Sequence, residues 1–197
     1  MRFKADEIVS VLETEIDQYR SKLKAEEVGR VLETKLQPVR GPVKIAFGKA
    51  DLPLQAPPPR EELEKEAVRK GSIQSWVAQQ MLAKLKRGES LPTHYACPVT
   101  VWQFGDDLTL VGLSGEVVVD YVMLLEKALG PNHLWLAAYC NDVFGYVPSA
   151  RVLSEGGYET RGLYTGGIGI FSPKAEEVLV AKVRELAEQA GRRAPTH

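Results

Sequence analysis

The chain is poor in the side chains that most often bind metals or attack carbonyl carbons, with 3 histidines and 2 cysteines among 197 residues. Cys97 and Cys140 form no C-x-x-C pair of the kind that grips zinc or exchanges disulfides, so both are read as free thiols. His94, His133 and His197 are scattered. A lone loop histidine, as His94 is in LPTHYACP, is more often solvated or hydrogen-bonded than a metal ligand. Neither sign of charge is in excess. A formal net charge of -1 and a pI near 6.3 leave no overall basic field, and no nucleic-acid partner is expected. No run approaches the ~20 apolar residues that span a bilayer, so no transmembrane segment is expected. The opening stretch, MRFKADEIVSVLETEIDQYRSK, is interrupted by acids and lacks the apolar core of a signal peptide, which predicts a cytoplasmic protein. There is no G-x-x-x-x-G-K-[ST] phosphate loop and no internal repeat.

What is present has the balance of one globular domain with an appendage: 44% hydrophobic and 26% charged residues. Ile8, Leu12, Ile16, Tyr19 and Leu23 recur at steps of three and four, predicting an amphipathic helix over 6–23 with Asp6 as N-cap. Such a helix either packs on its own domain or docks on a partner protein. The run VKIAF, residues 43–47, alternates like a half-buried strand through Val43, Ile45 and Phe47. Pro57 to Pro59 have no backbone N–H and hold an extended φ, giving a stiff surface connector. Two helices broken at Gly71 follow, over 61–70 and 73–85, the second with Ile73, Trp76, Val77, Met81 and Leu85 on one stripe. Lys84, Lys86 and Arg87 complement its C-terminal dipole. Residues 91–98 read as a loop, and 99–104 with 108–113 as a hairpin around Gly105-Asp106-Asp107.

Residues 108–146 read as strand, turn, helix, strand and loop, a βαβ unit whose strand at 134–139 lies parallel to the one at 108–113. Ligands in such sheets bind beyond the C-terminal strand ends, which here carry Ser114-Gly115-Glu116 and Asn141 to Tyr146. Glu116 is placed where a carboxylate caps the helix that follows, with a role as ligand or base as the alternative. Tyr146 and Tyr158, in glycine-rich loop, are each open to a buried structural role, to oxyanion donation or to metal binding. A short helix near 149–154 precedes a last one that opens at Ser172-Pro173, ends at Gly191, and turns Leu179, Val183, Leu186 and Ala190 to one face. The fold class is α/β: a mixed sheet with a hairpin and a βαβ unit, helices covering the sheet, plus the N-terminal amphipathic helix.

Two resemblances bear on function. MRFKADEIVSVLETEIDQYRSKLKAEEVGRVLE, residues 1–33, resembles the N-terminus of the alpha subunit of F-type ATP synthase. In that family the helix contacts the peripheral stalk and EVGRVLE opens a β-barrel strand, but this chain departs at TKLQPVRGPVK. Over about residues 40–190, VWQFGDDLTLVGLSGEVVVDY and AAYCNDVFGYVPSARVLSEGGYE resemble the C-terminal half of the catalytic domain of neutral ceramidases, bacterial members especially. A Gly-Glu turn after a strand, an Asn-x-x-x-x-Tyr loop and a Gly-Tyr-Glu segment recur in order. Those hydrolases are zinc amidases that cleave the N-acyl bond of ceramide. The resemblance implies Glu116 and Tyr146 as zinc ligands and Tyr158 as the catalytic residue that stabilises the oxyanion. The family's histidine ligands and histidine acid/base lie in an N-terminal half without counterpart here, so the implied zinc set is incomplete. The division expected is a helical segment over 1–37 and a ceramidase-like half-domain over 38–197. The function expected is a partial zinc-dependent amide hydrolase of an N-acyl sphingosine or related lipid, weakly active or inactive alone. Its rivals are a non-catalytic interaction protein docking through residues 6–23 and a lipid binder using the same pocket.

Overall fold

The computed structural model describes residues 25–160 and 169–193, apart from the side chain of Ile73. The helix expected over 6–23 lies outside these residues. The chain divides into two units after Pro38. In the first, residues 25–32 form helix α1, carrying an Arg30–Glu27 ion pair. This is the stretch that would open a strand in the ATP synthase subunit.

The second unit is built on a four-stranded mixed sheet ordered β1-β2-β3-β5. Strands β1 (Val43–Pro53) and β2 (His94–Phe104) pair antiparallel along their full length, and β2 pairs antiparallel with β3 (Leu108–Leu113). Helix α4 (Asp120–Leu129) carries the chain across to β5 (Leu134–Ala137), parallel to β3 as the βαβ reading requires. Two segments read as loop are strand. β1 runs on through Pro53, and His94 to Pro98, read as loop, pair with Lys49 to Pro53. Pro53 is the last residue of β1, and Pro98 stands just before β2 begins its pairing with β3 at Val99, so neither takes a donor from the β2–β3 ladder.

The last helix, α6 (Lys174–Ala190), covers one sheet face. Ala175, Leu179, Val183, Leu186, Ala187 and Ala190 are buried against Ala46, Ala50, Leu52, Val99 and Val101. Small residues on β1 admit it closely: a Cβ at Gly48 would meet the Leu186 side chain at 3.3 Å. Gly191 ends α6 in the left-handed conformation, φ 97°. The alternation in VKIAF thus faces the opposite way from its expected role. Ala46 is buried, whereas Val43, Ile45 and Phe47 are exposed, because the helix side selects small side chains rather than large ones.

Helices α2 (Arg60–Ala67) and α3 (Ile73–Lys86) form a hairpin with its own small core of Leu63, Ala78 and Met81. Ser72 caps α3, its hydroxyl accepting from the Ser75 N–H at 3.0 Å. Trp76, expected on the buried stripe, is exposed. The short α5 (Ala150–Glu155) is capped by Ser149, which donates to Asp120 at 2.5 Å. Arg151 pairs with the same carboxylate at 2.7 Å, holding Asp120 below the usual aspartate range. Cys97 and Cys140 are free.

Candidate functional site

Past Leu113 the chain makes the turn Ser114-Gly115 and enters a second, two-stranded sheet of β4 (Glu116–Val117) and β6 (Tyr146–Val147). This corrects the expectation that Glu116 caps the following helix. Val117, Val118 and Val119 are β-branched and lose side-chain freedom in a helix, so the first pairs with Val147 and helix α4 starts only at Asp120. The register sets Glu116 directly opposite Tyr146.

The turn is fixed by backbone bonds from both sides. Gly115 N–H donates to Asp142 at 2.8 Å, Glu116 N–H to Gly145 at 2.8 Å, and Tyr139 N–H to the Gly115 carbonyl at 2.9 Å. Gly115 has φ 73°, and a Cβ there would lie 2.8 Å from the Gly145 oxygen and 2.9 Å from the Phe144 ring, so only glycine fits. Buried Ser114 lies 2.7 Å from the carbonyl oxygens of both Pro98 and Cys140, joining β2 to the incoming loop. Behind the turn, Tyr95 donates to the Asp142 carboxylate, and Phe144 stacks on Tyr95 at 4.4 Å and on Phe171 at 6.0 Å. Burial there pushes the Cys97 thiol up to about 12, which keeps it unreactive.

The three residues singled out from the sequence meet. Tyr158, in a short turn over Tyr158–Thr160, sets its ring edge to face against Tyr146 at 5.5 Å between centroids. A fourth joins them. Tyr139, expected as the last residue of a strand, lies past the end of β5 with φ 59°, and hydrogen bonding to Glu116 pushes its phenol up to about 12. Burial first, then the Glu116 charge and the neighbouring Tyr158, also raise Tyr146. Period and propensity gave no reason to separate Tyr139 from the apolar run before it. The clue in the sequence was its position directly ahead of the polar Cys140-Asn141-Asp142 loop.

One carboxylate among phenols is a hydrogen-bonding site: an acceptor at Glu116 beside donors at Tyr139 and Tyr146. It does not fit zinc. Catalytic zinc is held by about three protein ligands, while the resemblance supplies Glu116 and Tyr146 only. Among the described residues no group of three His, Cys, Asp or Glu side chains could hold a metal. His133 precedes β5, at the opposite end of the sheet from Glu116. His94 opens β2, its Nδ1 3.0 Å from the Thr93 hydroxyl oxygen; His197 lies outside the described residues. A cavity of about 820 Å³ lies between the Pro57–Pro59 connector and helices α2 and α3, and none of the four site residues lines it.

No family model and no curated protein matches this chain. Among solved structures it is similar to the neutral ceramidase from Pseudomonas aeruginosa, at 18% identity and a TM-score of 0.44, over 81% of this chain and 30% of that one. It is similar to a ceramidase complexed with C2 at 15% identity and a TM-score of 0.43, over 80% of this chain and 33% of that one. The chain therefore spans about a third of the length of the ceramidases it is similar to.

Proposed function

We propose that the chain is a partial amide hydrolase of the neutral-ceramidase type, which binds an N-acyl sphingosine or related N-acyl lipid at the Glu116 cluster and turns it over weakly or not at all by itself. The observation that carries this reading is the juxtaposition of Glu116 and Tyr146 across one strand pair with Tyr158 against the Tyr146 ring. An amide offers an N–H donor and a carbonyl-oxygen acceptor, and a carboxylate flanked by phenols supplies the complementary acceptor and donor. Glu116 accepts from the amide N–H or a neighbouring hydroxyl. A phenol of Tyr146 or Tyr158 donates to the carbonyl oxygen, the atom that gains charge when such a bond is attacked. The zinc that the resembled hydrolases use would need ligands beyond Glu116 and Tyr146, so hydrolysis awaits groups that the described residues do not bring together.

The test is binding alongside turnover. Purified protein is titrated with a fluorescent short-chain N-acyl sphingosine, and fatty-acid release is followed with and without added zinc. Saturable binding that weakens at least about tenfold in Glu116→Ala is expected, since the loss of a charge-assisted hydrogen bond costs about 1.5–3 kcal/mol. Binding that persists in Glu116→Ala would mark the cluster as bystander to a simple lipid pocket. Absence of both binding and hydrolysis would reject the reading.

A further inference from the structure

Among the described residues, helices cover one face of the four-stranded sheet, and the other face is largely apolar. Register gives its rows: Val43, Phe104 and Leu108; then Ile45, Trp102, Leu110 and Trp135; then Phe47, Thr100, Gly112 and Ala137. Ile45 is 55% exposed, Phe47 58%, Trp102 39% and Trp135 66%. None of the residues in these rows is charged. A sheet with one solvated face ordinarily alternates apolar and polar along each strand, and this one does not.

We propose that the face is the interface of a homodimer, in which two copies stack sheet on sheet about a two-fold axis. The area decides for a second copy. At about 150–250 Å² for an aromatic side chain, the exposed parts of these rows come to roughly 600–700 Å², close to the ~800 Å² per partner of a stable interface. That is also above what a typical monomer leaves bare as one patch. The face is broad and uncharged across its centre, so it is complementary to itself, as an isologous contact must be. At its rim on β1, Lys49 and Asp51 continue the outward parity with opposite signs, which a two-fold axis can set against each other. Aligned sheets pack about 10 Å apart with their inner side chains interdigitated; Cys140 and Asn141 of the same chain already lie over Gly112 and Thr100, so the contact centres on the first two rows and Phe47. The proposal stands on the sheet alone and does not depend on the hydrolase reading.

Sedimentation velocity on the full chain, at concentrations spanning the micromolar range, reads it directly. The expected mass is twice the 21.8 kDa of one chain. Trp135→Glu, which would bury an unpaired charge, is expected to raise the dimer dissociation constant at least about a hundredfold, while Val119→Glu, on an exposed residue outside the rows, leaves it unchanged. Should circular dichroism show Trp135→Glu unfolded, Phe47→Thr provides the milder variant, with an expected weakening of about tenfold. A monomer at every concentration overturns the proposal, as does a dimer indifferent to both face variants. A monomer that dimerises only after deletion of residues 1–33 also overturns it, and identifies the chain's own N-terminus as the occupant.

Discussion

Glu116 sets the protonation of the phenols around it. A hydroxyl that donates to a carboxylate gives up its proton reluctantly, because the phenolate would lose that bond and face a like charge. Tyr139 accordingly titrates at about 12 in place of the ordinary 10. Its folded value exceeds its unfolded one, so the folded state holds the proton more tightly, and the stabilisation is complete below pH 10 and lost as pH rises toward 12. Glu116→Gln removes the charge and keeps the shape. Ultraviolet titration of phenolate absorbance is expected to show Tyr139 moving down toward pH 10, with Tyr146 shifting the same way, and the alkaline loss of stability flattening with them. An unchanged titration would show that Tyr139 takes its shift from elsewhere.

The elements around the site depend on a backbone turn that no other residue type can make. Gly115 takes φ 73° with Gly145 and Phe144 already at contact distance of any Cβ. Gly115→Ala is expected to cost about 2–4 kcal/mol, combining left-handed strain of about 1–2 kcal/mol with the displacement of neighbours. Chemical denaturation measures it, and Gly156→Ala is the control, since it shares a positive φ of 79° in open space. Much at this scale was legible. The hairpin, the parallel β3–β5 pair and the buried face of α6 follow from period, turn residues and caps. What was hidden depended on partners remote in sequence. His94 to Pro98 become strand because β1 lies alongside, and the outward turn of Val43, Ile45 and Phe47 is decided by α6, more than a hundred residues later. Likewise Glu116 was legible as a polar end of the unit, but its strand character comes from Tyr146 and Val147 across the gap. Tyr139 was the site residue missed, since its role arises from a left-handed backbone rather than from any spacing.

For the molecule as a whole, the order of the core matters more than its size. The sheet's inner face, with Ala46, Ala50 and Leu52 from β1, is closed by Leu179, Val183 and Leu186 from the last helix. Arg192 then fastens that helix, donating to the carbonyls of Leu129, Gly130 and Asn132 at 2.9 to 3.0 Å. Removal of α6 would uncover the core over β1 and β2. A chain ending at Ser172 is expected to be soluble only with a chaperone and to be cut by protease at sites the full chain protects, with limited proteolysis as the readout.

The same arrangement has a temporal side. A ribosome delivers β1 before α6, at about 5–20 residues per second, so the part of the sheet that α6 covers stays open until that helix has been made. During those seconds the nascent chain leaves open an apolar face that the folded chain closes with α6. Synthesis rate and chaperone supply, rather than the stability of the final fold, would then govern how much of it is made.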